Sequence, residues 1–297
     1  MTWFSSPDDA AGRLGDAGYL ADPATATTAY LAGRLEKPVL VEGPAGVGKT
    51  ELAKAIARVT GAELVRLQCY EGLDEARALY EWNYKKQLLR IQAAVVERDS
   101  GGRDEAVDRS ADWDQDIFGE EFLLTRPLLT AIRNERPTVL LIDEVDKTDV
   151  EVEGLLLEVL SDFQVTIPEL GTMTARRRPF VVLTSNAARE LSEALKRRCL
   201  YLHLDYPAAA RERAIVLSQV PELDEKVAGQ LVAVVARLRE LELKKAPSIA
   251  ESVDWARTLI ALEIDDLSDE AVRRTLGVVL KHVSDADRAI RELRLPR

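Results

Sequence analysis

A glycine-rich octapeptide sets the strongest constraint on how this chain of 297 residues can fold. Residues 43–50 have the sequence Gly-Pro-Ala-Gly-Val-Gly-Lys-Thr and match the pattern G-x-x-x-x-G-K-[ST] at every fixed position. The apolar run Val39–Val41 precedes them, and the helical pattern Glu51–Val59 follows. The octapeptide therefore predicts a buried strand, a tight loop and a helix in direct succession.

The same octapeptide predicts a phosphate-binding site. Glycines let the backbone wrap closely around phosphate oxygens with its N–H groups pointing inward. The positive end of the following helix adds to that attraction. Lys49 can reach the β- and γ-phosphates, and Thr50 can offer its hydroxyl to Mg²⁺. The predicted binding residues are Gly43, Pro44, Ala45, Gly46, Val47, Gly48, Lys49, Thr50 and Glu51.

Five short apolar runs predict an α/β fold with a parallel sheet. Buried parallel strands have such brief continuous hydrophobic runs, and helical patterns separate the runs here. The runs are Val39–Val41, Leu64–Leu67, Thr138–Ile142, Phe180–Thr184 and Leu200–Leu204.

After Pro207 the sequence pattern predicts only helices. Two helical stretches are expected at 252–262 and 268–283, with Ser268 as the N-cap of the second. An earlier stretch places five apolar residues on one helix face: Leu223, Val227, Leu231, Val235 and Leu238. We predict an αβα domain at 1–206 and a small all-α domain at 207–297.

Charge is distributed unevenly along the chain. The net charge of -11 argues against non-specific binding to a phosphate backbone. Residues 99–121 hold nine acids against two arginines, which predicts a solvated insertion, with a partner-binding loop as the alternative. Residues 175–198 hold seven basic residues against two acids.

Polar residues end the third and fourth predicted strands. Asp143 is predicted to hold Mg²⁺ together with Thr50, and Glu144 is predicted to orient and polarise an attacking water. A carboxylate base at this place is typical of proteins that hydrolyse the nucleotide rather than only bind it. Asn186 is expected between the strands of the two motifs, in contact with the γ-phosphate or the water.

Two adjacent arginines precede the fifth predicted strand. Arg197 and Arg198 are candidates for reaching the γ-phosphate of a neighbouring subunit, and Arg198 is preferred. An arginine supplied in this way raises the rate of hydrolysis by about 10³–10⁵.

The rest of the chain predicts structural roles. Residues 79–91 predict one helix whose aromatic and aliphatic residues pack in the core. No run of 18 or more apolar residues occurs, and residues 1–9 lack a signal-peptide pattern, so we expect a cytoplasmic protein without a membrane span. The few cysteines and histidines predict buried or structural side chains: Cys69, Cys199, His203 and His282.

The order GPAGVGKT, VLLIDEVDK, LTSN and ALKRRC resembles the AAA+ ATPases, a branch of the P-loop NTPases, over nearly the whole chain. Residues 163–168 resemble the start of a hairpin of the MoxR branch, which would span about 163–178, and Arg198-Cys199 stands in its Arg-Phe position. Residues 71–92 further resemble the CoxD-like subgroup, which is associated with maturation of molybdenum-dependent carbon monoxide dehydrogenase-type enzymes.

This resemblance implies ATP and Mg²⁺ as ligands, a five-stranded αβα core with strand order 5-1-4-3-2, and a helical lid. It also implies a ring, commonly a hexamer, that remodels, activates or matures a client protein. A molybdenum hydroxylase-type enzyme is one candidate client, and a protein with a von Willebrand factor A domain is an expected partner. The family's lid arginine is missing from Ala246–Ala250, and the candidates to replace it are Lys244, Lys245 and Arg257.

Two other functions stay open at this point. The missing lid arginine allows a nucleotide-gated interaction module without significant turnover, although Glu144 disfavours it. The basic residues at 175–198 allow a nucleic-acid motor or loader. The acidic balance of the chain, and the lack of an added helix-turn-helix or zinc module, make nucleic acid a poor candidate partner.

Overall fold

The computed structural model describes residues 2–100 and 117–295 of the chain. Most of the acidic insertion predicted at 99–121 falls on residues 101–116, which lie outside the described residues.

Strands and helices mostly alternate up to the last strand, although three strands follow one another between Gln164 and Ser185. After the last strand, only helices follow up to residue 295. The strands are β1 (Val39–Glu42), β2 (Glu63–Gln68), β3 (Tyr80–Trp82), β4 (Leu123–Thr125), β5 (Thr138–Asp143), β6 (Gln164–Ile167), β7 (Gly171–Thr174), β8 (Phe180–Ser185) and β9 (Leu200–His203). The helices are α1 (Pro7–Asp16), α2 (Pro23–Leu35), α3 (Lys49–Thr60), α4 (Glu75–Ala78), α5 (Tyr84–Ser100), α6 (Pro127–Arg133), α7 (Val150–Asp162), α8 (Glu193–Arg198), α9 (Ala209–Gln219), α10 (Glu225–Glu240), α11 (Ile249–Ala261), α12 (Asp269–Thr275) and α13 (Val283–Glu292).

All five predicted strands belong to one sheet, in the order β2–β5–β8–β1–β9. Numbered by their own chain order, these strands have the predicted order 5-1-4-3-2, which is confirmed. β2 pairs with β5 in parallel, with Leu64 opposite Val139. β5 pairs with β8 in parallel, with Val139 opposite Phe180. The strand that ends before Asn186 therefore lies between the strands of the two motifs, as predicted.

Burial along the strands follows their place in the sheet. Every residue of β5 and of β8 is buried, which explains their continuous apolar sequences. β2 is an edge strand, in which Val65 and Leu67 are buried whereas Arg66 is exposed. Because side chains alternate along a strand, Arg66 and Gln68 extend from the same face of the sheet.

The chain divides into two compact units, with boundaries after residue 3, within α2, within β1, at the end of α3 and at the start of β9. The first unit contains Met1–Trp3, Leu31–Leu40 and Thr60–Leu200, and the second contains Phe4–Tyr30, Val41–Val59 and Tyr201–Arg297. The domain boundary predicted between residues 206 and 207 stays a prediction. In the described part of the chain, no helix is both long and apolar enough to cross a membrane.

The first unit has a core in which buried residues of the central strands pack with residues of α6 and α7: Leu129, Leu140, Ile142, Leu156 and Val181. β6 and β7 form an antiparallel hairpin, with Gln164 opposite Thr174. This hairpin lies inside the range 163–178 named from the sequence.

The helix predicted at 79–91 is wrong in its first part, and its predicted core packing is confirmed only for Leu79, Tyr80 and Trp82. Tyr80–Trp82 forms strand β3, which pairs with β4, and the ring of Trp82 packs edge-on against Phe118 at 5.4 Å. The helix begins only at Tyr84, and the side chains of Tyr84 and Leu88 are exposed. The apolar content of this stretch is compatible with either element, and the partner strand β4 decides in favour of a strand.

The second unit has its own apolar core. The predicted face of α10 is confirmed, since Val227, Leu231, Val235 and Leu238 are all buried there, together with Leu223 just before the helix. Trp255 on α11 is fully buried, and its Nε1 donates to the hydroxyl of Thr275 at 2.7 Å.

The helix predicted at 268–283 is shorter than expected. Ser268 is its N-cap, as predicted, but α12 ends at Thr275 and a 3₁₀ turn follows at Leu276–Val278. Gly277 lies in that turn, and glycine is a poor helix former because it loses the most backbone entropy.

A buried ion pair links three helices of the second unit. Glu212 on α9 accepts two hydrogen bonds from the guanidinium of Arg239 on α10, at 2.5 and 2.8 Å. The hydroxyl of Ser252 on α11 donates to the same carboxylate at 2.7 Å. Since Glu212 is 1 % exposed, its charge depends on these partners for compensation.

We predict that Glu212→Ala lowers the free energy of unfolding by about 3–5 kcal/mol, because it leaves the Arg239 charge buried without its partner. Chemical denaturation of both proteins measures the difference. Asp254→Ala is the matched control on α11, since Asp254 pairs with the exposed Arg257 at 3.4 Å. Equal losses in the two variants would contradict a structural role for the buried pair.

Candidate functional site

The loop between β1 and α3 depends on three glycines of the second unit. Gly43, Gly46 and Gly48 have φ angles of +152°, +76° and +98°, which residues with a side chain rarely adopt. A Cβ at Gly43 would lie 1.9 Å from the carbonyl oxygen of Leu204. The predicted strand, loop and helix are all present, and the loop leaves its backbone open to a close approach by phosphate.

Lys49 is the first residue of α3 and is buried. Its ammonium donates to the carbonyl oxygens of Gly43 and Pro44, at 2.6 and 2.8 Å. The positive charge of Lys49 therefore lies against the same loop that is predicted to bind phosphate.

The other predicted binding residues differ in their surroundings. Val47 is buried, and Thr50 is half-buried in the first turn of α3. The carboxylate of Glu51 pairs along the helix with Lys54 at 3.4 Å and with Arg58 at 3.1 Å. Glu51 thus stabilises α3, whereas Thr50 is the hydroxyl nearest in sequence to the loop.

Ser248 contacts the loop, although the sequence did not predict it as a site residue. A Cβ added to Gly46 would lie 2.4 Å from both Cβ and Oγ of Ser248. Ser248 also begins α11 in a capping box, because its N–H donates to Glu251 at 2.7 Å and its hydroxyl accepts from the Glu251 N–H at 3.3 Å. The S-x-x-E pattern is visible in the sequence, but nothing local associates it with Gly46.

The three candidates to replace the lid arginine have different partners. Lys245 donates to Glu251 at 2.9 Å. Burial acts to raise the pKa of Glu251, but the Ser248 N–H and Lys245 outweigh it and hold that pKa below its usual range. Arg257 pairs with Asp254, and the N–H of Lys244 donates to a carboxylate of α13. Lys245 is thus the candidate joined to the capping box that contacts the loop.

Asp143 ends β5 in the first unit and is 3 % exposed. One carboxylate oxygen accepts from the hydroxyl of Thr184 at 2.6 Å, and the other accepts from the guanidinium of Arg66 at 2.5 Å. Neither Thr184 nor Arg66 was predicted as a site residue.

Glu144 follows with a left-handed backbone, at φ +59°. Its N–H donates to the hydroxyl of Thr184 at 2.9 Å. Its carboxylate accepts from Gln68 at 2.9 Å and from Lys147 at 2.8 Å. The structure thus brings Asp143 and Glu144 together around Thr184, with Glu144 only partly buried.

Asn186 follows β8 and is half-buried. Its N–H and that of Ala188 donate to the same oxygen of Asp146, at 3.2 and 3.0 Å. Asp146 is buried and lies two residues after Glu144, so it joins the turn after β8 to the segment that carries the acidic pair.

Arg197 and Arg198 end α8 and are exposed. Arg198 donates through Nε to the hydroxyl of Ser161 at 2.6 Å and through Nη1 to the carbonyl of Ala194 at 3.2 Å. Both side chains are on the surface of the protomer, as a contact with a neighbouring subunit requires.

The cysteines offer no nucleophile. Burial, followed by the charge of Asp143, raises the pKa of Cys69 to about 12. Burial raises the pKa of Cys199 to about 12 as well. Within residues 2–100 and 117–295, no group of three or more His, Cys, Asp and Glu side chains is arranged to hold a metal ion.

The predicted ligands fit a nucleotide with Mg²⁺ in their donor chemistry. The loop lacks side chains where phosphate would approach, and an ammonium lies against it. Mg²⁺ prefers oxygen ligands and is commonly bound by one or two carboxylates together with substrate phosphates. Thr50 and Asp143 supply such oxygens.

Comparisons with known proteins agree with these features. The family model of the "ATPase family associated with various cellular activities (AAA)" matches residues 39–204. The chaperone protein ClpB 2 of Parasynechococcus marenigrum is 28 % identical over 247 residues, which are 78 % of this chain and 23 % of that protein. An uncharacterized protein of Staphylococcus aureus is 25 % identical over 254 residues, which are 82 % of this chain and 84 % of that protein.

Among solved structures, a RuvB mutant of Thermotoga maritima superimposes with a TM-score of 0.51 at 18 % identity, and the match covers 92 % of this chain and 72 % of that one. This likeness shows the fold. The chain spans 23 % of one ClpB relative and 14 % of another, so it corresponds to a small part of those chaperones. The family match extends from β1 to just beyond β9 and includes more than half of the chain, so this protein belongs to the AAA family of ATPases.

Proposed function

We propose that this protein is a MoxR-type AAA+ ATPase that hydrolyses ATP within an oligomeric ring and uses the energy to remodel, activate or mature a client protein. The observation that carries the proposal is the pair Asp143 and Glu144 around Thr184. A partly exposed carboxylate directly after a buried one suits hydrolysis, because one can hold a cation while the other activates water.

The residues of the second unit would bind the nucleotide. The N–H groups of residues 43–50 would surround the phosphates, and Lys49 would exchange its carbonyl partners for phosphate oxygens. The positive end of α3 favours the same negative charge.

The residues of the first unit would perform the reaction. Asp143, with Thr50, would hold Mg²⁺, which when bound neutralises charge on the phosphates. Glu144 would orient a water and accept its proton through Oε1, because the hydrogen bonds from Gln68 and Lys147 both end on Oε2. Asn186 would contact the γ-phosphate or the water from the turn that Asp146 holds.

A ring, with six subunits as the proposed number, would complete each site. Arg197 or Arg198 would reach the nucleotide of the neighbouring subunit, where a guanidinium stabilises charge in the transition state. Their exposure at the end of α8 supports this role. The similarity to the ClpB chaperones supports the remodelling of a client protein.

The proposed client and partner rest on the family resemblance of the sequence. The resemblance of 71–92 to the CoxD-like subgroup favours a client of the molybdenum hydroxylase type, and the MoxR resemblance favours a partner with a von Willebrand factor A domain. Strand β7 of the hairpin is mostly exposed and is a candidate contact for either protein.

One observation favours a second function, a nucleotide-gated interaction module without significant turnover. Ser248 contacts the loop from the segment in which the family's lid arginine would be expected. A nucleic-acid motor has less support, because most basic side chains at 175–198 are paired with acids, among them Arg176 with Glu135 and Arg178 with Glu36.

We predict that Glu144→Gln binds a fluorescent ATP analogue as the unmodified protein does, while phosphate release falls by about 10²–10⁴, since the proton acceptor is lost. Lys49→Ala should fail at the earlier step and lose binding. Fluorescence titration and a phosphate-release assay measure the two steps separately.

Matched controls exist for both variants. Lys54→Ala removes a more exposed ammonium from the same helix, and Glu151→Gln changes an exposed carboxylate of α7. Nucleotide binding without phosphate release in the unmodified protein would favour the interaction module over the ATPase.

We also predict that phosphate release per subunit rises with protein concentration until the ring is complete. If Arg198 acts in trans, the rate of phosphate release by Arg198→Ala alone falls by about 10³-fold or more. Mixing it with Glu144→Gln should restore part of the rate, because each Arg198→Ala subunit can then face a neighbour with an intact arginine. Arg197→Ala tests the other candidate in the same mixture.

Arg176→Ala is the control for removal of an exposed arginine. A rate per subunit that is independent of concentration, with no recovery in either mixture, would exclude both arginines as trans-acting residues.

A further inference from the structure

We propose that Arg66 competes with the divalent cation for Asp143 and thereby sets the Mg²⁺ concentration at which this protein holds a nucleotide. The inference deepens the proposed function and rests on it, because it takes Asp143 as the Mg²⁺ ligand. Arg66 is a positioning residue here, and it acts through the carboxylate that it binds.

Both oxygens of Asp143 have donors. Thr184 donates to one at 2.6 Å, and Arg66 donates to the other at 2.5 Å. A cation that approaches this carboxylate on the Arg66 side meets the positive charge of the guanidinium. The repulsion is strong at such short range, so the cation and the guanidinium exclude one another.

The two donors differ in how readily they can leave. Thr184 is buried in a central strand, and its hydroxyl also accepts from Glu144, so it has no route to water. The side chain of Arg66 is 49 % exposed and comes from the edge strand β2. Water can hydrate the half-exposed guanidinium when it leaves, and the incoming cation then compensates the buried charge of Asp143 in its place. Arg66 is therefore the displaceable partner.

Displacement of Arg66 would also affect the catalytic base. The same guanidinium nitrogen donates to the side-chain oxygen of Gln68, two residues along β2. That contact turns the amide nitrogen of Gln68 towards Glu144, to which it donates at 2.9 Å. Arg66 and Gln68 thus link the metal-binding carboxylate to the base, and arrival of the cation would loosen the hold on Glu144.

The test is a Mg²⁺ titration of fluorescent ATP-analogue binding, which does not depend on turnover. We expect the midpoint Mg²⁺ concentration to fall by about threefold to tenfold in Arg66→Ala, because the competing charge is gone. Arg66→Gln, which keeps a donor but no charge, should shift the midpoint in the same direction by less. Arg178→Ala is the control, since that side chain is 47 % exposed and pairs with Glu36 instead.

The outcomes separate the two proposals. A midpoint in both Arg66 variants that equals or exceeds that of the unmodified protein would overturn the competition. Thermal melting of each variant shows whether it is folded, and Arg66→Gln supplies the test if Arg66→Ala is not. Absence of Mg²⁺-dependent binding in the unmodified protein would instead overturn the proposed function.

Discussion

The positions of Asp143 and Glu144 depend on two hydrogen bonds of the Thr184 hydroxyl. This hydroxyl donates to Asp143 and accepts from the N–H of Glu144, so one side chain of β8 fixes both residues at the end of β5. A buried carboxylate without such partners would cost several kcal/mol. The left-handed backbone of Glu144 costs about 1–3 kcal/mol in a residue other than glycine, and the bond from its N–H helps to maintain it. The pairing of β5 with β8 thus determines the geometry of the acidic pair.

In the second unit, a buried ion pair holds the segment that contacts the glycine loop. Arg239 is bound by Glu212 and also donates to the carbonyl of Pro247 at 2.8 Å. Pro247 directly precedes Ser248, the residue in contact with Gly46. A chain of contacts therefore runs from the core of the helical region to the loop.

The sequence allowed the five strands, their order and the glycine loop to be predicted, because each rests on a local pattern or on the family resemblance. The partners of the acidic pair could not be predicted. Arg66 is a polar residue of the kind common in edge strands, and Thr184 lies at the end of an apolar run. Only the pairing of the strands brings them to the acidic pair. Ser248 belongs to a visible capping box, yet its contact with Gly46 joins residues about two hundred positions apart. The error at 79–91 has the same origin, since apolar content does not show which element a stretch joins, whereas the helix predicted at 268–283 ends early before Gly277, a local signal.

Whether Thr184 organises the acidic pair for hydrolysis is decided by the rate of phosphate release by Thr184→Val. Valine matches threonine in volume but can neither donate to Asp143 nor accept from Glu144. We expect the rate to fall by about 10² or more while an ATP analogue still binds, because the aligned base is lost but the glycine loop is intact. Thr184→Ser, which keeps the hydroxyl, should recover most of the rate. A Thr184→Val protein that releases phosphate as fast as the unmodified protein would contradict the account.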